Sequence, residues 1–244
     1  ENGNNVAQGG GRTKENDTDT VITNRESTAS SNTVTIDAGE GKTVDVTLDN
    51  VTINVDEEPT SGYDPSAYKT AVSVTGSGNT NIELNGNNTL TSGYGHAGLE
   101  HNKTDDSGTL TIQDEKNDDG SAKGSASDTT GSLTATGGYH GAGIGGSDGH
   151  DGQATITGGE IIANGGSQGA GIGGGAGNQN AVGGDGDVTI SGGTITATGG
   201  SGAAGIGGGL DGNGTVIITD GDITAKATGR YGAGIGGGYG AIPK

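Results

Sequence analysis

The chain contains no cysteine, methionine, tryptophan or phenylalanine, and aromatic residues make up 2% of it. Without cysteine there are no disulfide staples and no zinc–thiolate sites. With so few aromatics and thinly spread long aliphatics, an ordinary globular core cannot be assembled. Basic residues are also scarce: 11 Lys and Arg stand against 30 Asp and Glu, a formal net charge of -19. Such a surface repels phosphate backbones and anionic lipid, so neither a nucleic-acid partner nor membrane insertion is expected. No apolar run reaches the length of a signal peptide or a membrane span. Any export signal or wall anchor is therefore expected outside these 244 residues.

What the chain has in abundance is glycine, 57 of 244 residues. Glycine at this level points to disorder unless a period organises it, and here one does. The phrase GAGIGG stands at Gly141–Gly146, Gly169–Gly174 and Gly232–Gly237, with AAGIGG at Ala203–Gly208. The central Ile144, Ile172, Ile206 and Ile235 are 28, 34 and 29 residues apart. A period of this size marks one supersecondary unit stacked on copies of itself.

Each phrase is followed by a variable loop and two short alternating segments. In one copy these are Val188-Thr-Ile190 and Ile195-Thr-Ala197. Apolar residues at every second position have the period of a half-buried strand. Aligning the copies puts Ile156, Ile190 and Ile218 in one column, Ile161, Ile195 and Ile223 in a second, and Ala163, Ala197 and Ala225 in a third. Three strands per repeat, with glycine corners, predict an all-β fold: a single-stranded right-handed parallel β-helix (solenoid) of about six coils of roughly 28–34 residues. Helical repeats are excluded by the glycine density, and collagen by the lack of glycine at every third position.

Upstream the pattern is degenerate. Val46, Leu48, Ile53 and Val55 match one coil, and Ile82, Leu84, Leu90 and Ser92 another. Leu110 and Ile112 begin a third that resumes at Leu133 and Ala135, with the polar insertion Asp114–Thr130 expected to loop out. The predicted division is a polar N-terminal linker or loose cap over 1–33 and the β-helix over 34–244. Within the helix, the degenerate coils span 34–138 and the regular ones 139–240. The last repeat carries no polar cap, so its rung is expected to continue into more chain or to pair with something.

The phrases GAGIGG, Val188-Thr-Ile-Ser-Gly-Gly-Thr-Ile-Thr-Ala-Thr-Gly-Gly200 and Asn87-Asn-Thr-Leu90 resemble those of bacterial cell-surface carbohydrate-binding β-helix proteins, related in fold to pectate lyases. The resemblance covers roughly residues 34–240. It implies an extracellular or cell-surface location, calcium as a structural ion, and binding of cellulose or acidic plant polysaccharide without cleavage.

The residues themselves offer three sets of candidates. Asp148 and Asp151, with His150, fall in the loop after one GAGIGG; Asp185 and Asp187 occupy the next loop, and Asp211 with Asn213 the one after. Alternating Asp and Gly in a tight loop can supply the several oxygens calcium requires, but Asp-Gly is also ordinary turn chemistry. Gly146–Asp151 approaches the calcium-binding nonapeptide pattern, with Ser147 in place of its second glycine. Glu115, Asn117 and Asp119 imitate the start of an EF-hand loop, which fails at Ala126 where a bidentate carboxylate belongs.

The second set is Tyr94, Tyr139 and Tyr231 with His96, His140 and Arg230, all at the corner before the AGIGG strand. Sugar rings stack on aromatic faces, and Tyr and His bond sugar hydroxyls; the same residues could equally fill space at a glycine-rich corner. The third set is the outward array Thr155, Thr157, Thr189, Thr196, Thr198 and Thr224, good exposed-strand chemistry that could also lie against cellulose or ice. Catalysis has thin support: from residue 131 onward the only cations are Lys226, Arg230 and Lys244, and no carboxylate pair is marked out as hydrolytic. The chain thus reads as a non-catalytic polysaccharide-binding module, with a rigid adhesin stalk bound to host or cell-surface proteins as the alternative. Its oligomeric state is left open.

Overall fold

The computed structural model describes residues 5–8, 12–15, 20–24, 28–56, 68–114, 131–177 and 182–241. The EF-hand-like stretch and the insertion beyond Asp114 lie outside the described residues, as does the tail from residue 242.

A hairpin of β1 (Asn5–Gln8) and β2 (Arg12–Glu15) opens the chain, and β3 (Thr20–Thr23) follows. The first full coil is β4 (Val34–Ala38), β5 (Thr43–Asp49) and β6 (Thr52–Asn54). The second is β7 (Val72–Gly76), β8 (Asn79–Asn85) and β9 (Asn87–Thr91). The third is β10 (Leu99–Glu100), β11 (Leu110–Asp114) and β12 (Ser132–Thr136). The fourth is β13 (Ile144–Gly145), β14 (Gly152–Ile156) and β15 (Glu160–Asn164). In the fifth, β16 (Ile172–Gly173) leads into the long, bent β17 (Gly186–Gly199), and in the sixth β18 (Ile206–Gly207) leads into β19 (Gly214–Ala227). β20 (Ile235–Gly236) begins a seventh turn.

Corresponding strands of successive coils pair in parallel. One ladder runs β4-β7-β10-β13-β16-β18-β20; a second runs from β3 and β5 through β8, β11 and β14; a third runs from β6 through β9, β12 and β15. The last two meet in β17, whose pairing with β19 shifts register around Ser191. Six complete coils therefore stand between β4 and β20, in line with the count expected from the period.

The columns expected from the sequence are the ones observed. Ile156 pairs with Ile190 and Ile190 with Ile218; Ile161, Ile195 and Ile223 align, as do Ala163, Ala197 and Ala225. The GAGIGG isoleucines form their own ladder, Ile144–Ile172–Ile206–Ile235. In the degenerate half Leu99 takes that role between Val72 and Ile144. Ile144, Ile156, Ile172, Ile190 and Ile206 are all fully buried. Each such side chain removed from water contributes roughly 1.5–3 kcal/mol, which is how a chain without Phe, Trp or Met obtains a core. The threonines between them are half-buried or exposed.

The boundary at 34 shifts. Thr20–Thr23 already pairs in parallel with Val46–Asp49, and Ser30 bridges to Ile53, so the helical path begins inside the segment read as a linker. A four-residue strand among Asn and Thr has too few apolar positions to stand out as a repeat. Ahead of it, β1 pairs antiparallel with β4 from Asn5↔Asp37 to Gln8↔Val34. This reversal covers the first edge of the stack with a hairpin, a common means of blunting an exposed sheet edge.

Candidate functional site: an aromatic corner

In four of the coils the corner residue four positions before the ladder residue has a left-handed backbone. Gly95 (φ 80°), His140 (86°), Gly202 (83°) and Tyr231 (86°) all occupy it. Glycine adopts this conformation freely, while a side chain there costs of order 1 kcal/mol. The chain nevertheless places an imidazole and a phenol at two of these corners, and backbone strain of this kind is characteristic of functional positions.

The register brings part of the predicted set together. The Tyr94 and Tyr139 rings stack with centroids 5.3 Å apart and planes 10° from parallel. His140 leans against both, at 4.4 Å from Tyr139 and 5.7 Å from Tyr94. Tyr68 extends the row from the other side, 5.4 Å from Tyr94. Tyr68 is buried and Tyr139 is 46% exposed, so the row rises from the body of the protein to an open ring face. Tyr231 is elsewhere. Two coils carrying Gln168 and Gly202 at the corner separate it from His140, and it pairs instead with Tyr239 at 4.8 Å. Arg230 beside it is exposed and far from the stacked row. The single edge expected from the sequence is thus two aromatic clusters, because the intervening corners hold Ser167-Gln168 and Ser201-Gly202.

Tyr68 and Tyr239 are additions to the predicted set. Tyr68 had a signal: it precedes Val72 by four residues, as His140 precedes Ile144. Tyr239 follows Ile235 by four, the offset of Asp148 from Ile144. That second offset matters because the loop after each GAGIGG docks on the corner of the preceding coil. The backbone N–H groups of Asp148, Ala176, Leu210 and Tyr239 donate to the carbonyls of Gly95, His140, Gln168 and Gly202 at 2.6–3.1 Å. Corner and loop, distant in the repeat, form one surface.

This docking sets Asp148 beside His140. Its Oδ1 faces His140 Nδ1 at 3.3 Å, out of line for a hydrogen bond, and neither buried atom has another partner. His96 makes the parallel arrangement one coil back: its Nδ1 lies 2.9 Å from Glu100 Oε2 and 2.7 Å from Thr70 Oγ1. Glu100 Oε2 also accepts from the Ala97 N–H. A carboxylate beside Nδ1 favours the tautomer with its proton there, leaving Nε2 as an acceptor for an incoming hydroxyl. Glu100 and Thr70 were invisible as site residues in the sequence, since neither belongs to the repeated phrase.

The remaining aspartates serve the stack. Asp151 Oδ1 accepts the backbone N–H of Asp185 at 2.7 Å, and Asp185 Oδ1 accepts both the backbone N–H and the Nδ2 of Asn213. Asp187 pairs with Lys103 at 2.5 Å on the surface. Asp211 is an exposed turn residue with φ 65°. Among the described residues no three His, Asp or Glu side chains gather around a common point.

Comparison with family models matches the β-helix repeat to residues 131–148, 155–176, 188–210 and 216–239. With the parallel ladders, this identifies the chain as a right-handed parallel β-helix carrying that repeat. Comparisons with curated proteins and with solved structures give no match.

Proposed function

We propose that the chain is a non-catalytic polysaccharide-binding module of an extracellular or cell-surface bacterial protein. The observation that carries this reading is the stacked Tyr94–Tyr139 pair with the outer ring 46% exposed. An aromatic face held flat on rigid strands takes the C–H face of a sugar ring with little loss of side-chain entropy. The Nε2 atoms of His96 and His140 are the neighbouring groups suited to sugar hydroxyls. Lys226 and Arg230 lie exposed in the last coil, remote from the rings, which favours binding over proton abstraction from an acidic sugar.

The test is retention on insoluble cellulose together with a glycan array, for the wild type and Tyr139→Ala. Retention lost in the variant, with an unchanged circular dichroism spectrum, supports the module. A second reading, a rigid stalk whose recognition lies in other segments, is favoured by the unbroken side-chain columns from coil to coil. Absence of binding to every glycan by a folded wild type assigns the chain to that role.

A further inference from the structure

The tyrosines of the corner stack on one another, and stacking uses up ring faces. Tyr94 has Tyr139 on one side, 5.3 Å away and 10° from parallel, and Tyr68 on the other, at 5.4 Å. Tyr68 is itself buried. Of the three rings only Tyr139, 46% exposed, has a face to offer. It has one, because Tyr94 covers the other and His140 flanks the ring. A run of sugars lying flat along the surface would need several rings side by side with their faces outward. This row presents a single face, at its end.

That face is turned away from Tyr94, toward the corner of the fifth coil. The two corners lie directly against each other. The Gly166 N–H donates to the Gly141 carbonyl at 2.9 Å, and a Cβ on Gly166 would lie 3.1 Å from the Tyr139 Cα. Tyr94 and Tyr139 stand five positions before Leu99 and Ile144; the residue five before Ile172 is Ser167. Ser167 is exposed, and the half-buried Gln168 follows it. The row therefore stops with a small hydroxyl at the position where the next stacked phenol would stand. Neighbouring coils are about 4.8 Å apart, close to the 5.3 Å separation of the Tyr94 and Tyr139 rings, so one coil step holds one ring.

We propose that a single terminal sugar residue, at the end of a chain or branch, inserts here as the next member of the row. The site rests on the polysaccharide reading of this corner and restricts it to one residue per chain end. The apolar C–H face of the sugar lies on Tyr139. Its hydroxyls meet the Ser167 hydroxyl and the Gln168 amide, which between them supply donors and acceptors, and His140 Nε2 on the near side. The sugar residues behind it find no further aromatic face. The fifth- and sixth-coil corners carry Ser167-Gln168 and Ser201-Gly202, and the Tyr231–Tyr239 pair belongs to the last coil. Affinity is therefore set by one residue and does not grow with chain length.

The probes are cellobiose, cellotetraose and cellohexaose, titrated by calorimetry or ligand-observed NMR. The three are expected to bind within about twofold of one another, whereas each further stacked ring would raise affinity about fivefold. The decisive variant is Ser167→Tyr, which puts a phenol where the sugar would lie. It is expected to weaken cellotetraose at least about tenfold with an unchanged circular dichroism spectrum, while Ser167→Ala stays within about threefold of the wild type. On an open aromatic platform an added tyrosine would instead strengthen binding. Affinity that climbs with chain length, or a Ser167→Tyr that binds as well as the wild type or better, overturns the terminal-residue site and leaves the polysaccharide reading standing. Absence of binding to all three probes by the folded wild type overturns both. If Ser167→Tyr does not fold, the length series on the wild type decides.

Discussion

Asp151 and Asp185 are joined across neighbouring coils by a carboxylate-to-amide bond: Asp151 Oδ1 accepts the Asp185 N–H at 2.7 Å, and Asp185 repeats the contact to Asn213 at 2.8 Å. The pair joins the loops of successive coils in a hydrogen-bonded seam. Each carboxylate satisfies a backbone donor that the loop would otherwise leave without a strand partner.

The first prediction follows from that seam. Asp185→Ala strands two donors of Asn213 and is expected to cost about 1–3 kcal/mol, read as a lower urea midpoint. Asp185→Asn keeps the acceptor oxygen and is expected to recover most of the loss. Thermal melts with calcium and with chelator are expected to coincide, since an ion held only by the folded state would raise the melting temperature. A clear rise with calcium would return a metal to these loops.

A second prediction concerns why GAGIGG keeps its glycines. Gly207 and Gly236 share the same backbone, with φ of 130° and 127°. A Cβ on Gly207 would lie 2.0 Å from the Gly236 carbonyl oxygen of the next coil, whereas one on Gly236 would meet nothing nearer than the Ala233 Cβ at 3.9 Å. Both alanine variants carry the conformational strain, and only Gly207→Ala carries the clash. Gly207→Ala is therefore expected to be destabilised about 1–3 kcal/mol beyond Gly236→Ala. Equal melting temperatures would mean that backbone conformation alone explains the phrase.

These contacts also mark how far the sequence is readable. Ile144, Ile172, Ile206 and Ile235 announce their ladder because parallel in-register stacking repeats the same residue at the same place, and a period is a direct record of that. The corner is half readable. Tyr94 and Tyr139 lie on consecutive coils and meet, but nothing in the repeat distinguishes them from Tyr231, whose coil is separated by Gln168 and Gly202. Side chains that act across coils without repeating, such as Thr70 on His96 or Lys103 on Asp187, leave no periodic trace. The aspartates are ambiguous because acceptors for a backbone N–H and ligands for calcium are the same residue in the same Asp-Gly loop. Only the direction of the carboxylate separates them.

The third prediction sets stability against binding at one residue. His140 holds a left-handed backbone that Gly95 and Gly202 hold without a side chain. His140→Gly should relieve about 1 kcal/mol of strain, offset in part by the lost contact with Tyr139 and by greater freedom of the unfolded chain. It also frees Asp148 Oδ1 from an imidazole that faces it without bonding. The variant is expected to melt no lower than the wild type while losing several-fold in glycan retention, the pattern of a strained functional residue. A variant that melts lower and binds equally well would make His140 a packing residue.

The fourth prediction is a pH dependence centred on His101. Burial lowers its pKa below the ordinary 6.5, against the opposing pull of hydrogen bonds to Val74 and Gly108. The ring is 2% exposed, and a neutral imidazole has one N–H for two carbonyls, so one contact is unsatisfied. Above 6.5 the ring is neutral whether the chain is folded or not, and His101 imposes no pH-dependent cost. As pH falls through that value the unfolded chain takes up a proton that the folded chain resists, and stability is lost until the folded-state pKa is reached. Relative to His101→Gln, the urea midpoint of the wild type is therefore expected to decline between about pH 7.5 and about pH 5. The chain has four histidines; His96, His140 and His150 are common to both proteins, so their titration cancels in the difference between the two slopes. Parallel slopes would show that burial of His101 carries no proton linkage, and a steeper fall in His101→Gln than in the wild type would reverse the sign assigned to it.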